Sequence, residues 1–166
     1  MAAEVDKQAN ATPLLTGNFV FPAGARYEGQ YIEDETGRRS MNGHGTYTDG
    51  PESYSGEWKD NKMHGIGKYC FATGATYEGQ FDGNCFHGHG VYRFNNGAWY
   101  EGGWVQNKMH GAGCYVDHEK VMWEGRWVNG KYDNGRDHVL LSSMPGAEPT
   151  GQDPSAPGIG DAALGS

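Results

Sequence analysis

Three histidines, His64, His87 and His110, recur at intervals of 23 residues. Imidazole is a common metal ligand and carries protons near neutral pH, so a histidine ladder is the first chemistry to weigh. On successive hairpins the three would stand roughly 9–10 Å apart, two strand spacings, which is too far to share one ion. His44 and His89 each follow a repeated glycine and fall outside the ladder. The ladder therefore reads as turn histidines that hydrogen-bond the hairpin backbone, with no metal and no cofactor expected. Cys70, Cys85 and Cys114 have no C-x-x-C spacing and an odd count. They read as free thiols of a reducing compartment, Cys70 on a polar strand face and Cys85 in a turn. No Gly-x-Ser-x-Gly, P-loop or H-E-x-x-H motif occurs. Catalysis needs groups that converge in a pocket, whereas periodic residues form ladders, so an enzyme is not expected.

The elements that carry these residues are themselves repeated. Tyr27-Glu28-Gly29-Gln30-Tyr31, Tyr54-Ser55-Gly56-Glu57-Trp58, Tyr77-Glu78-Gly79-Gln80-Phe81, Tyr100-Glu101-Gly102-Gly103-Trp104 and Trp123-Glu124-Gly125-Arg126-Trp127 share aromatic-x-Gly-x-aromatic, with glycines 27, 23, 23 and 23 residues apart. Met63-His64-Gly65-Ile66-Gly67, Phe86-His87-Gly88-His89-Gly90 and Met109-His110-Gly111-Ala112-Gly113 each follow a copy; the first copy has Met41-Asn42-Gly43-His44-Gly45. The long interval places an insertion at Glu33 to Arg39. Gly17-Asn18-Phe19-Val20-Phe21-Pro22-Ala23-Gly24 matches a third signature, found at Gly67 to Gly74 and Gly90 to Gly97, so the array starts with a half repeat. A fixed period of this size marks a repeat architecture.

Side chains alternate across a strand, so Tyr77, Gly79 and Phe81 share one face and Glu78 and Gln80 the other. Glycine weakens a strand interior unless something approaches the backbone closely. Here the recurring glycines leave room for aromatic rings to lie flat over the chain. Lys59-Asp60-Asn61-Lys62, Phe81-Asp82-Gly83-Asn84 and Val105-Gln106-Asn107-Lys108 supply turn residues that tolerate positive φ. The expected fold is all-β: an elongated, twisted, single-layer antiparallel β-hairpin meander of about ten strands. At roughly 4.8 Å per strand the sheet spans on the order of 45–50 Å.

The copies resemble the MORN repeat, a ~23-residue unit of the form Y-x-G-x-W-x-x-G-x-x-H-G-x-G with a glycine further on. Repeats at Tyr54 to Gly67, Tyr77 to Gly90 and Tyr100 to Gly113 fit closely; the first is stretched, and the fifth has Trp123 for tyrosine and lacks the His-Gly-x-Gly end. The resemblance implies a β-hairpin meander used for assembly, most like small ciliary, flagellar and sperm-associated members that are nearly all repeat. The expected role is a non-catalytic scaffold of a cytoskeletal assembly, foremost the axoneme. A peripheral membrane or phosphoinositide adaptor is the alternative.

Composition divides the chain into a flexible N-terminal segment 1–16, the array 17–136 and a mostly flexible tail 137–166 rich in Pro, Gly, Ala and Ser. Val139-Leu140-Leu141 and Met144 are candidates to cap the last strand. Net charge is −8, of which the array carries −3 (12 basic, 15 acidic). No polybasic stripe exists, which removes the main attraction for nucleic acid and for anionic lipid. Met1-Ala2-Ala3-Glu4-Val5-Asp6 has neither the basic start nor the apolar core of a signal peptide. The expected setting is the cytoplasm and cytoskeleton.

Tyr27, Tyr31, Tyr54, Trp58, Tyr77, Phe81, Tyr100, Trp104, Trp123 and Trp127 are expected to line a groove that grips a partner helix or extended peptide. Open edge strands would allow β-augmentation or a homodimer.

Overall fold

The structure, a computed structural model, describes residues 12–133. Of the expected flexible segment 1–16 only residues 12–16 are described, and Leu15 and Thr16 already belong to the first strand; the tail 137–166 and the cap by Val139, Leu140, Leu141 and Met144 lie outside these residues. Eleven strands form one open antiparallel sheet in strictly sequential order: β1 Leu15–Val20, β2 Arg26–Glu33, β3 Arg39–Asp49, β4 Glu52–Lys59, β5 Lys62–Cys70, β6 Thr76–Asp82, β7 Cys85–Arg93, β8 Trp99–Val105, β9 Lys108–Val116, β10 Met122–Val128 and β11 Lys131–Tyr132. The meander is as the sequence predicts, with one short strand more than the ten anticipated.

Register aligns like with like across the whole sheet. Gly17, Gly29, Gly45, Gly56, Gly67, Gly79, Gly90, Gly102, Gly113 and Gly125 are successive cross-strand partners and make one continuous glycine row. Two residues along, Phe19, Tyr27, Tyr47, Tyr54, Tyr69, Tyr77, Tyr92, Tyr100, Tyr115 and Trp123 form a parallel aromatic row. Tyr27, Tyr54, Tyr77 and Tyr100 lie down across the glycines. A Cβ on Gly45, Gly67, Gly90 or Gly113 would fall within 3.0 Å of those rings. The clearance argument made from sequence therefore holds.

Each reclining tyrosine also closes a register shift. The pairs β2–β3, β4–β5, β6–β7 and β8–β9 each slip just past the motif glycine, as a bulge does. There the tyrosine hydroxyl donates to the carbonyl three residues on: Tyr27 to Gln30 at 2.5 Å, Tyr54 to Glu57 at 2.8 Å, Tyr77 to Gln80 at 2.8 Å and Tyr100 to Gly103 at 3.1 Å. The fifth copy has Trp123, which has no hydroxyl. Tyr132 of β11 substitutes from the other side: its ring covers Gly125 and its hydroxyl reaches the Glu124 carbonyl at 2.9 Å.

Two further bonds tie each hairpin to the one before. Asp60-Asn61, Gly83-Asn84, Gln106-Asn107 and Asn129-Gly130 are turns with positive φ at both residues, the geometry that two-residue hairpins require. Asn84 N–H donates to the Met63 carbonyl at 3.1 Å while its Oδ1 accepts the Met63 N–H at 2.8 Å. Asn61 clasps Met41 in this way and Asn107 clasps Phe86. Gly130 keeps only the backbone half, to Met109.

This arrangement separates the two roles of the turn asparagine. Asn84→Gly keeps the backbone geometry and loses one hydrogen bond, leaving the Met63 amide unpaired, an expected loss of about 1 kcal/mol. Asn84→Ala adds roughly another 1 kcal/mol because alanine resists positive φ. Urea denaturation should rank wild type above Asn84→Gly above Asn84→Ala. Equal stability of wild type and the glycine variant would remove the clasp from the account.

The insertion lengthens one hairpin. Ile32 pairs with Ser40 and Glu33 with Arg39, and an Asx turn, with Asp34 Oδ1 accepting from Thr36 and Arg38, closes the end. Thr36 and Arg38 hydrogen bonds hold the Asp34 carboxyl below its ordinary pKa. Arg39 pairs with Glu33 at 2.7 Å, and its guanidinium lies 5.6 Å from the Phe19 and Tyr31 ring centroids. The insertion thus packs back on the first strand of its own chain.

Candidate functional site

Among the described residues the aromatic face carries the apolar core of the sheet, and its rings divide by depth. Tyr27, Tyr54, Trp58, Tyr77, Phe81, Tyr100, Trp104 and Trp127 are each at most 3% exposed. They form the core with Met63, Phe86 and Met109. Tyr54, Tyr77 and Tyr100 each meet the second motif aromatic of their own repeat and that of the next, edge to face, whereas Tyr27 meets only that of the next, Trp58. Tyr54 lies 5.1 Å from Trp58 and 4.9 Å from Phe81; Tyr100 lies 5.3 Å from Trp104 and 5.2 Å from Trp127. Such contacts carry about 0.5–1.5 kcal/mol each beyond burial. Indole nitrogens reach back to the glycine row, Trp58 to the Gly45 carbonyl at 3.0 Å and Trp104 to that of Gly90 at 3.1 Å. Phe81, without an indole nitrogen, makes no such bond.

The groove read from sequence needs correcting accordingly. Eight of its ten residues are sealed by their neighbours and are out of a partner's reach; only Tyr31 and Trp123 are half-buried. The accessible rings belong instead to the run beside them, in which Tyr69 and Tyr92 are themselves buried. Tyr69, Phe71, Tyr92, Phe94, Tyr115 and Trp123 follow one another with centroids 4.6–5.9 Å apart. Phe71, Phe94, Tyr115 and Trp123 keep part of their surface open. Phe71 and Phe94 begin the Gly-containing loops between hairpins, where Phe71 N–H donates to the Ala75 carbonyl and Phe94 N–H to that of Ala98. Their exposure could be read from a position outside the glycine-spaced motif.

Burial sets the chemistry of the phenols. It pushes Tyr27 up to about 12, and it raises Tyr54, Tyr77 and Tyr100 further. Tyr69 is raised by burial first and then by its 2.9 Å hydrogen bond to the Glu52 carboxylate. These hydroxyls are locked donors and are not poised for proton transfer.

The histidines stand inside strands β5, β7 and β9, not in turns. It is their carbonyls that take part in the backbone network: Tyr54 donates to the His64 carbonyl at 3.2 Å and Tyr77 to that of His87 at 3.5 Å. His64 Nδ1 faces Asp82 at 3.4 Å, and His110 Nδ1 is buried without a hydrogen-bond partner. In the first copy Asn42 replaces the histidine, and its Oδ1 accepts the Asp60 N–H of the next turn at 3.2 Å. Cys85 opens β7 directly after the turn, one residue beyond its expected place, and all three cysteines are free and partly buried. Among the described residues no three His, Cys, Asp or Glu side chains gather as a metal site would require.

Comparison with protein families decides what this periodic geometry is. The MORN repeat model matches residues 40–51, 54–76, 77–99 and 100–118. Residues 40–118 are MORN repeats. The segments on either side continue the same glycine and aromatic rows, so the MORN geometry extends to β1 and β10 although the match does not. A comparison with curated proteins found no match. MORN repeats imply a module for interaction with protein or membrane, and MORN-repeat proteins are generally non-catalytic.

Proposed function

We propose that this protein is a non-catalytic scaffold of a cytoskeletal assembly, the ciliary or flagellar axoneme, that binds a helix or extended peptide of a partner along its half-buried aromatic row. The observation that carries the binding reading is the set of half-buried rings Phe71, Phe94, Tyr115 and Trp123, joined by the buried Tyr69 and Tyr92 along one face of a single-layer sheet. No second layer covers this run among the described residues, and contiguous apolar surface rimmed by polar residues marks contact sites. The cytoskeletal setting rests on the MORN repeat as a module of assemblies.

Proximity labelling in ciliated cells, with wild type and a Phe71→Ser/Phe94→Ser variant, tests both parts. Axonemal proteins labelled by wild type should drop about tenfold with the variant. Capture of no axonemal protein removes the setting. Equal labelling by a folded variant removes the aromatic row. Cosedimentation with phosphoinositide vesicles that weakens with salt would favour the membrane adaptor instead.

A further inference from the structure

On the face opposite the rings, three repeats fold one side chain across the bulge. Gln30, Glu57 and Gln80 each stand between the motif glycine and the following aromatic. Gln30 Oε1 accepts the His44 N–H at 2.7 Å, Glu57 Oε1 the Ile66 N–H at 3.0 Å and Gln80 Oε1 the His89 N–H at 2.7 Å. The arm lies so close over Gly43, Gly65 or Gly88 that a Cβ there would collide with it.

The fourth repeat has Gly103 in the arm's place. A Cβ on Gly111 would meet nothing within 4 Å, and among the described residues no side chain accepts from the Ala112 N–H. Over Gly111 and Ala112, where an arm would lie, the surface forms an open cavity of about 710 Å³ with Glu101, Cys114, Glu124 and Arg126 around it.

We propose that this cavity binds the side chain of a glutamine from a partner protein, held as the chain's own arms are held. Its Oε1 takes the Ala112 N–H, and its amide group donates to Glu101 or Glu124. The surroundings select carboxamide over carboxylate. The Glu57 arm has Ser55, Lys68 and Glu78 as the cross-strand set beside it, whereas the Gln80 arm has Glu78, Val91 and Glu101. The Gln30 arm has Glu28, Thr46 and Ser55, so the chain uses a carboxylate where a lysine stands in the set and a carboxamide where none does. The empty place has Glu101, Cys114 and Glu124, again without a lysine, and Arg126, cross-strand from Ala112, is the one arginine or lysine among the described residues of its lining. A lysine or arginine would meet the acidic rim but could not accept from the amide floor. Because the cavity opens away from the aromatic row, this inference stands or falls separately from the proposed groove.

A random-peptide display library, selected on the full-length protein and depleted on Gly103→Gln, tests it. Enriched peptides should share glutamine at one position. Replacing that glutamine with glutamate or alanine should weaken binding about tenfold, and the peptide should shift the amide resonances of Gly111 and Ala112. Gly103→Gln brings a Cβ against the His110 carbonyl. Glu101→Lys/Glu124→Lys, which removes the carboxylates that would take the glutamine's amide protons, therefore serves as the depleting variant if circular dichroism shows the first unfolded. Glutamate, lysine or arginine at the shared position, peptides that bind wild type and the variant equally, or no wild-type-specific peptide would each overturn the proposal.

Discussion

Gly90→Ala is expected to destabilise the fold by about 3 kcal/mol, at the upper end of what overpacking a core costs. The added methyl would fall within 3.0 Å of the Tyr77 ring. That ring has nowhere to go: it is fully buried, stacked on Phe86 at 3.7 Å and met edge-on by Phe81 at 5.1 Å and Trp104 at 5.3 Å. Displacing it also breaks the hydroxyl's bond to the Gln80 carbonyl in the bulge. Gly125→Ala is the internal comparison. The three atoms nearest its methyl all belong to the ring of Tyr132, on the two-residue strand β11, so the element displaced is the short last strand and not the middle of the core. Thermal melts should show Gly90→Ala lower by about 10–15 °C and Gly125→Ala within a few degrees of wild type. Equal effects would mean that clearance for the rings is not what these glycines supply.

The second large effect is alkaline unfolding. Tyr27, Tyr54, Tyr69, Tyr77 and Tyr100 all have pKa values raised by burial above the ordinary 10.0. A raised folded pKa means that the native state holds its proton more tightly than the unfolded chain. The corresponding stability is fully present below pH 10 and is lost as pH rises toward the folded value, about 12 for Tyr27. Each such tyrosine removes about 1.4 kcal/mol per pH unit above the unfolded pKa. Five together remove about 7 kcal/mol in one unit, comparable with the whole stability of a typical domain. Tyrosinate absorbance and far-ultraviolet circular dichroism should therefore change together, steeply, between pH 10 and 12, with stability level below pH 9. Smooth titration near pH 10 with the sheet intact would contradict the burial of the reclining rings.

The strands and their order were legible because the aromatic-x-Gly-x-aromatic unit alternates with period two and repeats with period 23. The turns were legible because Asp60-Asn61 and Gly83-Asn84 are residues that adopt positive φ. What the sequence hid was direction. Rings lying flat over glycines were expected, but nothing in Tyr77-Glu78-Gly79-Gln80-Phe81 says that the tyrosine covers Gly90 of the next strand and is sealed there, which depends on cross-strand register and on the slip after Gly79. That posture turned the supposed groove residues into core and left Phe71 and Phe94, outside the motif, at the surface. The spacing of Asn61, Asn84 and Asn107 was visible as turn chemistry, but their clasp on Met41, Met63 and Phe86 is a contact between hairpins that no local pattern displays. The missing arm at Gly103 could be read only once Gln80 was seen to bond His89.

The clasp has a consequence for how the chain is made. Every strand pairs only with its predecessor and successor, so no segment waits on the ribosome for a distant partner. Yet Met63 is gripped by Asn84, 21 residues later, so each hairpin is fastened only when the next turn has emerged. Synthesis would proceed as a ratchet, one hairpin provisional and all earlier ones latched, and the unlatched length exposed to misfolding would never much exceed a single repeat.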